Sequence, residues 1–165
     1  DVHGDERGFF VETFSRDRWR ELGVAAEFVQ HNHSRSRRGT LRGLHFQTSP
    51  GQAKLIRCAR GEIFDVAVDL RRGSPTFGQW RGYRLDDEAH RQLFVPVGFA
   101  HGFCVLSETA DVTYLVSSLY DPETEAGIRW DDPEVGVEWP VAEPLLSARD
   151  AEAPLLAEVA AALPF

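Results

Sequence analysis

The amino-acid sequence predicts an all-β protein built as a double-sheet jelly roll. Short apolar or alternating segments recur roughly every ten residues between positions 40 and 117. Glycine and proline residues separate these segments, as is typical of antiparallel sandwiches and barrels. The 165 residues contain no internal repeat and no linker-like stretch, so one domain covering residues 1–165 is expected.

The elements follow one another from a helical start through strands to a helical end. Residues 15–22 predict a short helix, with Ser15 as its N-cap, Asp17 in its first turn and Gly23 as its stop. Pro154 precedes leucines and a valine at helical spacing, which predicts a second short helix near the C-terminus. Strands are expected at residues 40–47, 52–58, 62–70, 78–85, 92–96, 102–106 and 112–117.

The expected strand 62–70 alternates in an informative way. Asp65 and Asp69 share one face with two small or apolar residues, and the other face is wholly apolar. A face that carries two carboxylates either lies in solvent or lines a polar cavity. The pattern alone leaves both interpretations open.

Composition excludes several classes of function. The net charge of −8, from 18 basic and 26 acidic side chains, argues against a nucleic-acid partner, which requires a basic face. The chain shows neither a signal-peptide pattern nor an apolar run near the roughly 20 residues of a membrane span, so no membrane partner is expected. Cys58 and Cys104 lie in apolar surroundings, which indicates buried free thiols and a cytoplasmic location.

The segment 40–47 places Arg42 and His45 three residues apart in an expected strand. Regular alternation would put these two side chains on opposite faces of the sheet. Gly43 lies between them, where a β-bulge is favoured. A bulge there would bring an anion-binding cation and a proton-transfer group to one pocket.

Residues 96–101 match the Pro-x-Gly-x-x-His motif of the cupin type of jelly roll, in which a tight turn points His101 inward. A metal-binding cupin would add a His-x-His pair and a nearby acid. This chain has His45-Phe46-Gln47 followed by Lys54 instead. Because a metal site usually needs three or four protein ligands, no catalytic metal is expected. No other cofactor is expected either.

Without a metal, the remaining groups suit the removal of a proton next to a carbonyl. His45 is the candidate base, Lys54 the cation that stabilises an enolate, and Tyr114 the phenol that returns a proton. Asp65 and Asp150 are the carboxylates available to orient the base. A base and an acid on opposite sides of one carbon invert its configuration, which is epimerisation.

Ten segments in a fixed order then carry a resemblance that runs nearly from end to end. They are residues 5–12, 28–34, 41–47, 52–55, 65–69, 74–78, 98–103, 130–133, 139–140 and 147–150. Together they resemble the dTDP-4-dehydrorhamnose 3,5-epimerases, which are metal-free enzymes of the cupin fold. Each segment alone would be weak, whereas their number, order and spacing are specific.

The resemblance implies a role for each matching residue. It makes His45 the base with Asp150 as its dyad partner, Tyr114 the acid, and Lys54 the group at the C4 oxygen. The implied substrate-binding residues are Arg42, His101 and Asp65 around the sugar, Arg7, Phe10, Glu12, Gln30 and Asn32 around the nucleotide, and Tyr120 as a further pocket residue. Simpler alternatives are that Arg7 and Glu12 are surface charges and that Tyr114 only fills its strand.

The implied reaction converts dTDP-4-keto-6-deoxyglucose to dTDP-4-keto-rhamnose through an enolate, in deoxysugar biosynthesis, by a homodimer. One alternative is a mono-epimerase that acts at C3 or C5 only, for a sugar of a secondary metabolite. A metal-dependent cupin enzyme and a non-catalytic sugar-nucleotide sensor are alternatives of other classes.

Overall fold

The computed structural model describes residues 1–165 and contains eleven β-strands, three short α-helices and one 3-10 turn. The strands are β1 (Val2–Asp5), β2 (Gly8–Val11), β3 (Gln30–Arg37), β4 (Leu41–Gln47), β5 (Lys54–Arg60), β6 (Glu62–Asp69), β7 (Trp80–Asp86), β8 (Gln92–Val95), β9 (Phe99–Val105), β10 (Thr109–Val116) and β11 (Glu125–Gly127). The helices are α1 (Arg16–Glu21), α2 (Ala148–Ala151) and α3 (Leu156–Val159), and the 3-10 turn is Ala160–Ala162.

Nine of these strands form two antiparallel sheets that face each other. The four-stranded sheet has the order β3-β10-β5-β8, and the five-stranded sheet has the order β11-β4-β9-β6-β7. Strands β1 and β2 pair only with each other and form a separate hairpin. The predicted all-β jelly roll of the cupin type is confirmed, as are the two short helices.

The bounds of several elements differ from the sequence-based prediction. Strand β9 begins at Phe99 rather than at residue 102, because β4 and β6 pair with it on both sides. The strands β1, β2, β3 and β11 and the helix α2 were not predicted, since their sequences are polar or very short. Ser15 stands at the N-cap of α1, but its side chain accepts no capping hydrogen bond, so that part of the prediction is wrong.

A first hydrophobic core fills the space between the two sheets. Both sheets contribute to it, and its nine buried members are Ile56, Cys58, Ile63, Leu85, Val95, Phe103, Val105, Ala110 and Val112. The thiols of Cys58 and Cys104 are buried and free, as predicted, and burial raises their pKa values to about 12 and about 11. No helix of the protein is long and apolar enough to cross a bilayer.

A second core lies on the outer face of the five-stranded sheet. Residues of β4, β6 and β9 pack there against the segment from Ile128 to Leu163. Val66 and Val68 of β6 belong to this outer core, whereas Ile63 of the same strand belongs to the core between the sheets. Both faces of the five-stranded sheet are therefore covered, and the C-terminal segment lies beside β4.

Strand β4 carries the predicted bulge at Gly43. Arg42 pairs with Phe103, but His45 pairs with His101, so three steps along β4 match two steps along β9. Gly43 has a φ of 132°, and a Cβ atom there would lie 2.5 Å from the Cα atom of Gly102. Only glycine fits this close approach between the two strands.

Candidate active site

A cavity of about 570 Å³ opens between the two sheets. The five-stranded sheet contributes Arg42, His45, His101 and Phe103, and the four-stranded sheet contributes Ser34, Arg37, Lys54 and Tyr114. The segment 145–150 closes a third side of the cavity. It contributes Leu145, Leu146, Ser147, Arg149 and Asp150. Thr40, Leu41 and Glu125 complete the lining.

The C-terminal segment is held next to β4 by backbone hydrogen bonds. Leu41 N donates to Leu145 O at 3.0 Å, and Leu145 N donates to Gly39 O at 2.8 Å. Helix α2 begins directly after this contact, where the Ser147 hydroxyl accepts a hydrogen bond from Asp150 N at 3.1 Å. Asp150 is therefore fixed in place at the cavity wall.

His45 and Asp150 form a hydrogen-bonded pair, although 105 positions separate them in the chain. His45 Nε2 donates to Asp150 Oδ1 at 2.6 Å. The His45 side chain is 27% exposed and that of Asp150 only 6%, so the imidazole faces the cavity with the carboxylate behind it. The sequence-based pairing of these two residues is realised in the geometry.

Asp150 is held in its charged form. Burial opposes ionisation, but hydrogen bonds from His45, Ser147 and the Gly43 N–H outweigh it and lower the pKa of this carboxyl. An ionised carboxylate at Nε2 keeps the proton on that nitrogen and leaves Nδ1 free to accept another. Asp150 would also stabilise the imidazolium that forms, as in other His–Asp pairs.

A second imidazole–carboxylate pair lies deeper in the same wall. His101 Nε2 lies 2.9 Å from Asp65 Oδ1 and 3.1 Å from Asp65 Oδ2. Asp65 is fully buried behind His101 and does not line the cavity, so its assignment as a wall of the sugar site is corrected. Asp69 lies on the same face of β6 and is also buried. It accepts hydrogen bonds from Arg71, Ser74 and Thr76 in the turn that follows the strand. The solvent interpretation of this face is wrong for both carboxylates.

Lys54 and Tyr114 stand on the opposite sheet from His45. Lys54 is buried, and its Nζ donates to the backbone oxygen of His45 at 3.2 Å. Burial lowers the pKa of Lys54 to about 8, against the opposing charges of Glu125 and Asp65. Burial also raises the pKa of Tyr114, which keeps the phenol protonated near neutral pH. The wall facing His45 thus holds a cation and a proton donor.

Arg42 reaches the same cavity as His45 because of the bulge at Gly43. Its Nε donates to the hydroxyl of Ser36 at 3.0 Å, which leaves the terminal nitrogens of the guanidinium for an anion. The predicted juxtaposition of a cation and a proton-transfer group is therefore present in the structure.

Three residues assigned to the nucleotide lie outside this cavity. Arg7 occupies the turn of the β1–β2 hairpin, where its backbone N donates to Asp5 Oδ1 at 2.9 Å. Phe10 is 69% exposed on the same hairpin, and Glu12 pairs with Arg18 at 3.2 Å. None of the three reaches the cavity of its own chain.

Three further predicted residues cluster at the edge of the four-stranded sheet, next to the cavity lining. Gln30 Nε2 donates to Asn32 Oδ1 at 2.8 Å, and Tyr120 N donates to Gln30 Oε1 at 3.0 Å. The carboxylate of Glu125, which lines the cavity, raises the pKa of the neighbouring Tyr120 hydroxyl.

The structure offers no convergent set of three His, Cys, Asp or Glu side chains for a metal ion. Of the two histidines in the cavity, each has its Nε2 engaged by a carboxylate.

A family model described as dTDP-4-dehydrorhamnose 3,5-epimerase matches residues 1–158. The chain belongs to the dTDP-4-dehydrorhamnose 3,5-epimerase family. It is 54% identical over 151 residues to the enzyme of that name from Shigella flexneri, which covers 90% of this chain and 83% of the relative. The resemblance inferred from the ten segments is thereby confirmed, and the chain is an enzyme of the isomerase class.

A solved member of this epimerase family supports the same conclusion in three dimensions. The dTDP-6-deoxy-D-glucose-3,5-epimerase from Legionella pneumophila, solved with dTDP-4-keto-L-rhamnose, superposes with a TM-score of 0.96 at 50% identity. The match covers 99% of this chain and 88% of that one. A relative from Streptomyces niveus, named dTDP-4-dehydrorhamnose 3-epimerase, is 49% identical over 156 residues, 93% of this chain and 75% of its own.

The epimerase cavity also contains polar residues that sequence reasoning did not single out. The most notable are Ser34, Arg37, Glu125 and Arg149. Ser34 and Arg149 lie inside segments that carry the family resemblance, Ser34 two positions after Asn32 and Arg149 directly before Asp150. Ser34 shares the alternation of Gln30 and Asn32 along β3, whereas nothing in the local sequence distinguishes Arg37, Glu125 or Arg149 from surface residues.

Proposed function

We propose that this chain converts dTDP-4-keto-6-deoxyglucose to dTDP-4-keto-rhamnose by inverting C3 and C5. The observation that carries the proposal is that the His45–Asp150 pair lies on one wall of the cavity. Lys54 and Tyr114 come from the opposite sheet. A base and an acid that approach one carbon from opposite sides are what inversion requires.

These positions support the following reaction. The C4 ketone acidifies the hydrogens at C3 and C5, and the free Nδ1 of His45 takes one of them as a proton. The C–H electron pair moves into the enolate, whose oxygen is stabilised by the cationic side chain of Lys54. Tyr114 then gives its phenolic proton to the opposite face of the carbon. Solvent returns a proton to Tyr114 and removes one from His45.

The diphosphate of the substrate is proposed to bind the basic part of the lining. Arg42 presents its guanidinium there, and Arg37 and Arg149 line the same cavity. Arginine suits this role because its planar donors match phosphate oxygens in pairs. The Legionella pneumophila relative, solved with a dTDP-linked keto sugar, supports this class of substrate.

The proposed active form is a homodimer in which the β1–β2 hairpin serves a second copy. An isolated two-stranded hairpin is marginally stable in water, and this one exposes Phe9 and Phe10 by 57% and 69%. Arg7, Phe10 and Glu12 do not reach the cavity of their own chain. Their proposed nucleotide-binding role therefore requires the cavity of a partner, and size-exclusion chromatography with light scattering tests the dimer.

A cytoplasmic location is proposed for the reaction. The two cysteines are buried and unpaired, which fits a reducing compartment. The proposed single domain needs no membrane or nucleic-acid partner.

The deciding experiment is proton NMR of the product formed from dTDP-4-keto-6-deoxyglucose in deuterium oxide. Deuterium at both C3 and C5, with the rhamno configuration, is the expected result. Label at one carbon only would replace the proposal by the mono-epimerase, an outcome for which the Streptomyces niveus relative provides the precedent. Binding of dTDP without turnover would indicate a sensor, and activity that depends on stoichiometric metal would indicate a metal cupin.

A further inference from the structure

Strand β3 presents a row of four polar side chains on its less exposed face. Gln30, Asn32, Ser34 and Ser36 occupy alternate positions, whereas the residues between them are exposed. In a β-sandwich, the inward face of a strand usually carries apolar residues. A polar inner row therefore needs partners that can satisfy its hydrogen bonds.

Three members of this row have protein partners. Gln30 and Asn32 bind each other at 2.8 Å, and Ser36 accepts the hydrogen bond of Arg42 at 3.0 Å. The hydroxyl of Ser34 is buried and has no hydrogen-bond partner. Ser34 is also the member of the row that lines the cavity.

The polar residues nearest to Ser34 on the same face of its own strand, Asn32 and Ser36, make their hydrogen bonds to other residues. The cross-strand neighbour of Ser34 on β10 is Val112, which belongs to the core between the sheets. A buried hydroxyl that makes no hydrogen bond destabilises the folded state, and such groups are rare in native proteins. Because Ser34 lines the cavity, the partner of its buried hydroxyl is to be sought in the molecule that fills the cavity.

We propose that Ser34 is a substrate-positioning residue whose hydroxyl hydrogen-bonds an oxygen of the hexose ring of the nucleotide sugar. Ser34 lies on the same wall as Lys54 and Tyr114, the two groups that face the reacting carbons. The side chain tied to the anion-binding Arg42 is instead Ser36, two positions further along the strand. This inference rests on the proposed function, since it concerns the same cavity and substrate.

The test compares Ser34→Ala and Ser34→Cys with the wild type in the full-length protein. We expect KM for dTDP-4-keto-6-deoxyglucose to rise about 5- to 10-fold in Ser34→Ala, the usual effect of one lost neutral hydrogen bond. Affinity for dTDP alone, measured by calorimetry, stays unchanged because dTDP lacks the hexose. Ser34→Cys keeps the volume but donates a weak hydrogen bond, so it behaves like Ser34→Ala.

Thermal unfolding separates substrate contact from a structural role. The ligand-free Ser34→Ala protein is expected to melt at the wild-type temperature or above, because it loses a hydroxyl that has no partner. The matched control is Thr113→Val, which removes a hydroxyl from the neighbouring strand β10 at a position outside the cavity lining. This control leaves KM unchanged.

Three outcomes would overturn the inference. A lower melting temperature of Ser34→Ala with an unchanged KM would make Ser34 structural. Recovery of the wild-type KM in Ser34→Cys would show that volume alone matters, and an equal loss of affinity for dTDP would move the contact to the nucleotide or its phosphates. Failure of the wild-type protein to epimerise the sugar would instead refute the proposed function, so the two failures are distinguishable.

Discussion

The two imidazole–carboxylate pairs whose histidines line the cavity are chemically alike and structurally different. The His45 side chain is 27% exposed, whereas that of His101 is 7% exposed and its partner Asp65 is completely buried. Asp150 reaches His45 from the C-terminal segment, but Asp65 and His101 lie on neighbouring strands of one sheet. The first pair is assembled at the surface of a cavity, and the second is built into a sheet.

This difference in exposure indicates that the two pairs have different functions. A proton acceptor has to meet its substrate, so the exposed imidazole with a free Nδ1 suits general-base catalysis. A buried, hydrogen-bonded pair is costly to disrupt, because each partner left alone keeps the penalty of lost solvation. The pair His101–Asp65 accordingly supports the wall and presents one fixed imidazole edge to the cavity.

The largest expected effect comes from removing the exposed base. His45→Ala should lower kcat by about 10² to 10⁴, because no other group replaces the proton acceptor. Steady-state turnover of dTDP-4-keto-6-deoxyglucose measures it, with exchange of the substrate C–H in deuterium oxide as a second readout. The matched control is His33→Ala, since His33 pairs with Asp111 at the surface outside the cavity. Full turnover by His45→Ala would remove the functional distinction between the pairs.

Neutralising the partner of the base is the next test. Asp150→Asn preserves the shape of the side chain but removes the charge that stabilises the imidazolium, so kcat should fall by about 10² while circular dichroism stays unchanged.

The control for this substitution is Asp69→Asn, which changes another buried carboxylate whose pKa is lowered. Burial opposes its ionisation, and hydrogen bonds from Arg71, Ser74 and Thr76 prevail. Asp69→Asn should lower stability and leave kcat near the wild-type value. Equal losses of kcat in both variants would mean that Asp150 acts only through the fold.

The pH dependence of the reaction tests the wall that faces the base. The pKa of Lys54 is lowered by burial to about 8, so its cation is present below that pH and is lost above it. The rate constant kcat/KM should therefore fall about tenfold for each pH unit above 8, in the limit where the cation is essential.

The variant Lys54→Arg provides the control for the pH profile, since a guanidinium stays charged throughout this range. It should lose the alkaline limb even if its overall rate is reduced. Persistence of the same limb in Lys54→Arg would assign the titration to another group.

The smallest effect on catalysis is expected for the buried pair. Asp65→Asn should lower the free energy of unfolding by about 1–3 kcal/mol, because His101 loses its charged partner in a buried site. The loss of kcat should remain below that of Asp150→Asn. Urea denaturation and steady-state kinetics measure the two quantities, and a larger kinetic loss in Asp65→Asn would reverse the roles of the two pairs.

The sequence by itself determined the class of the fold and the family. Alternating segments predict strands, and the glycine and proline residues between them predict turns. Both predictions succeed because strands and turns depend mainly on residues that are close in the sequence. The bulge at Gly43 was predictable for the same reason, since only glycine tolerates its backbone geometry and the close approach of Gly102. The ten matching segments carried the family without any knowledge of distances.

Only the tertiary structure decided how the assigned residues come together and which of them reach the cavity. His45 and Asp150 meet because the segment after Leu145 is hydrogen-bonded beside β4 and a four-residue helix, capped by Ser147, positions the carboxylate. The same structure removed Asp65 from the cavity wall and placed Arg7 on a hairpin away from it. Local sequence fixes the direction of a side chain along its own strand, but the neighbour it meets depends on packing between elements that are distant in the chain.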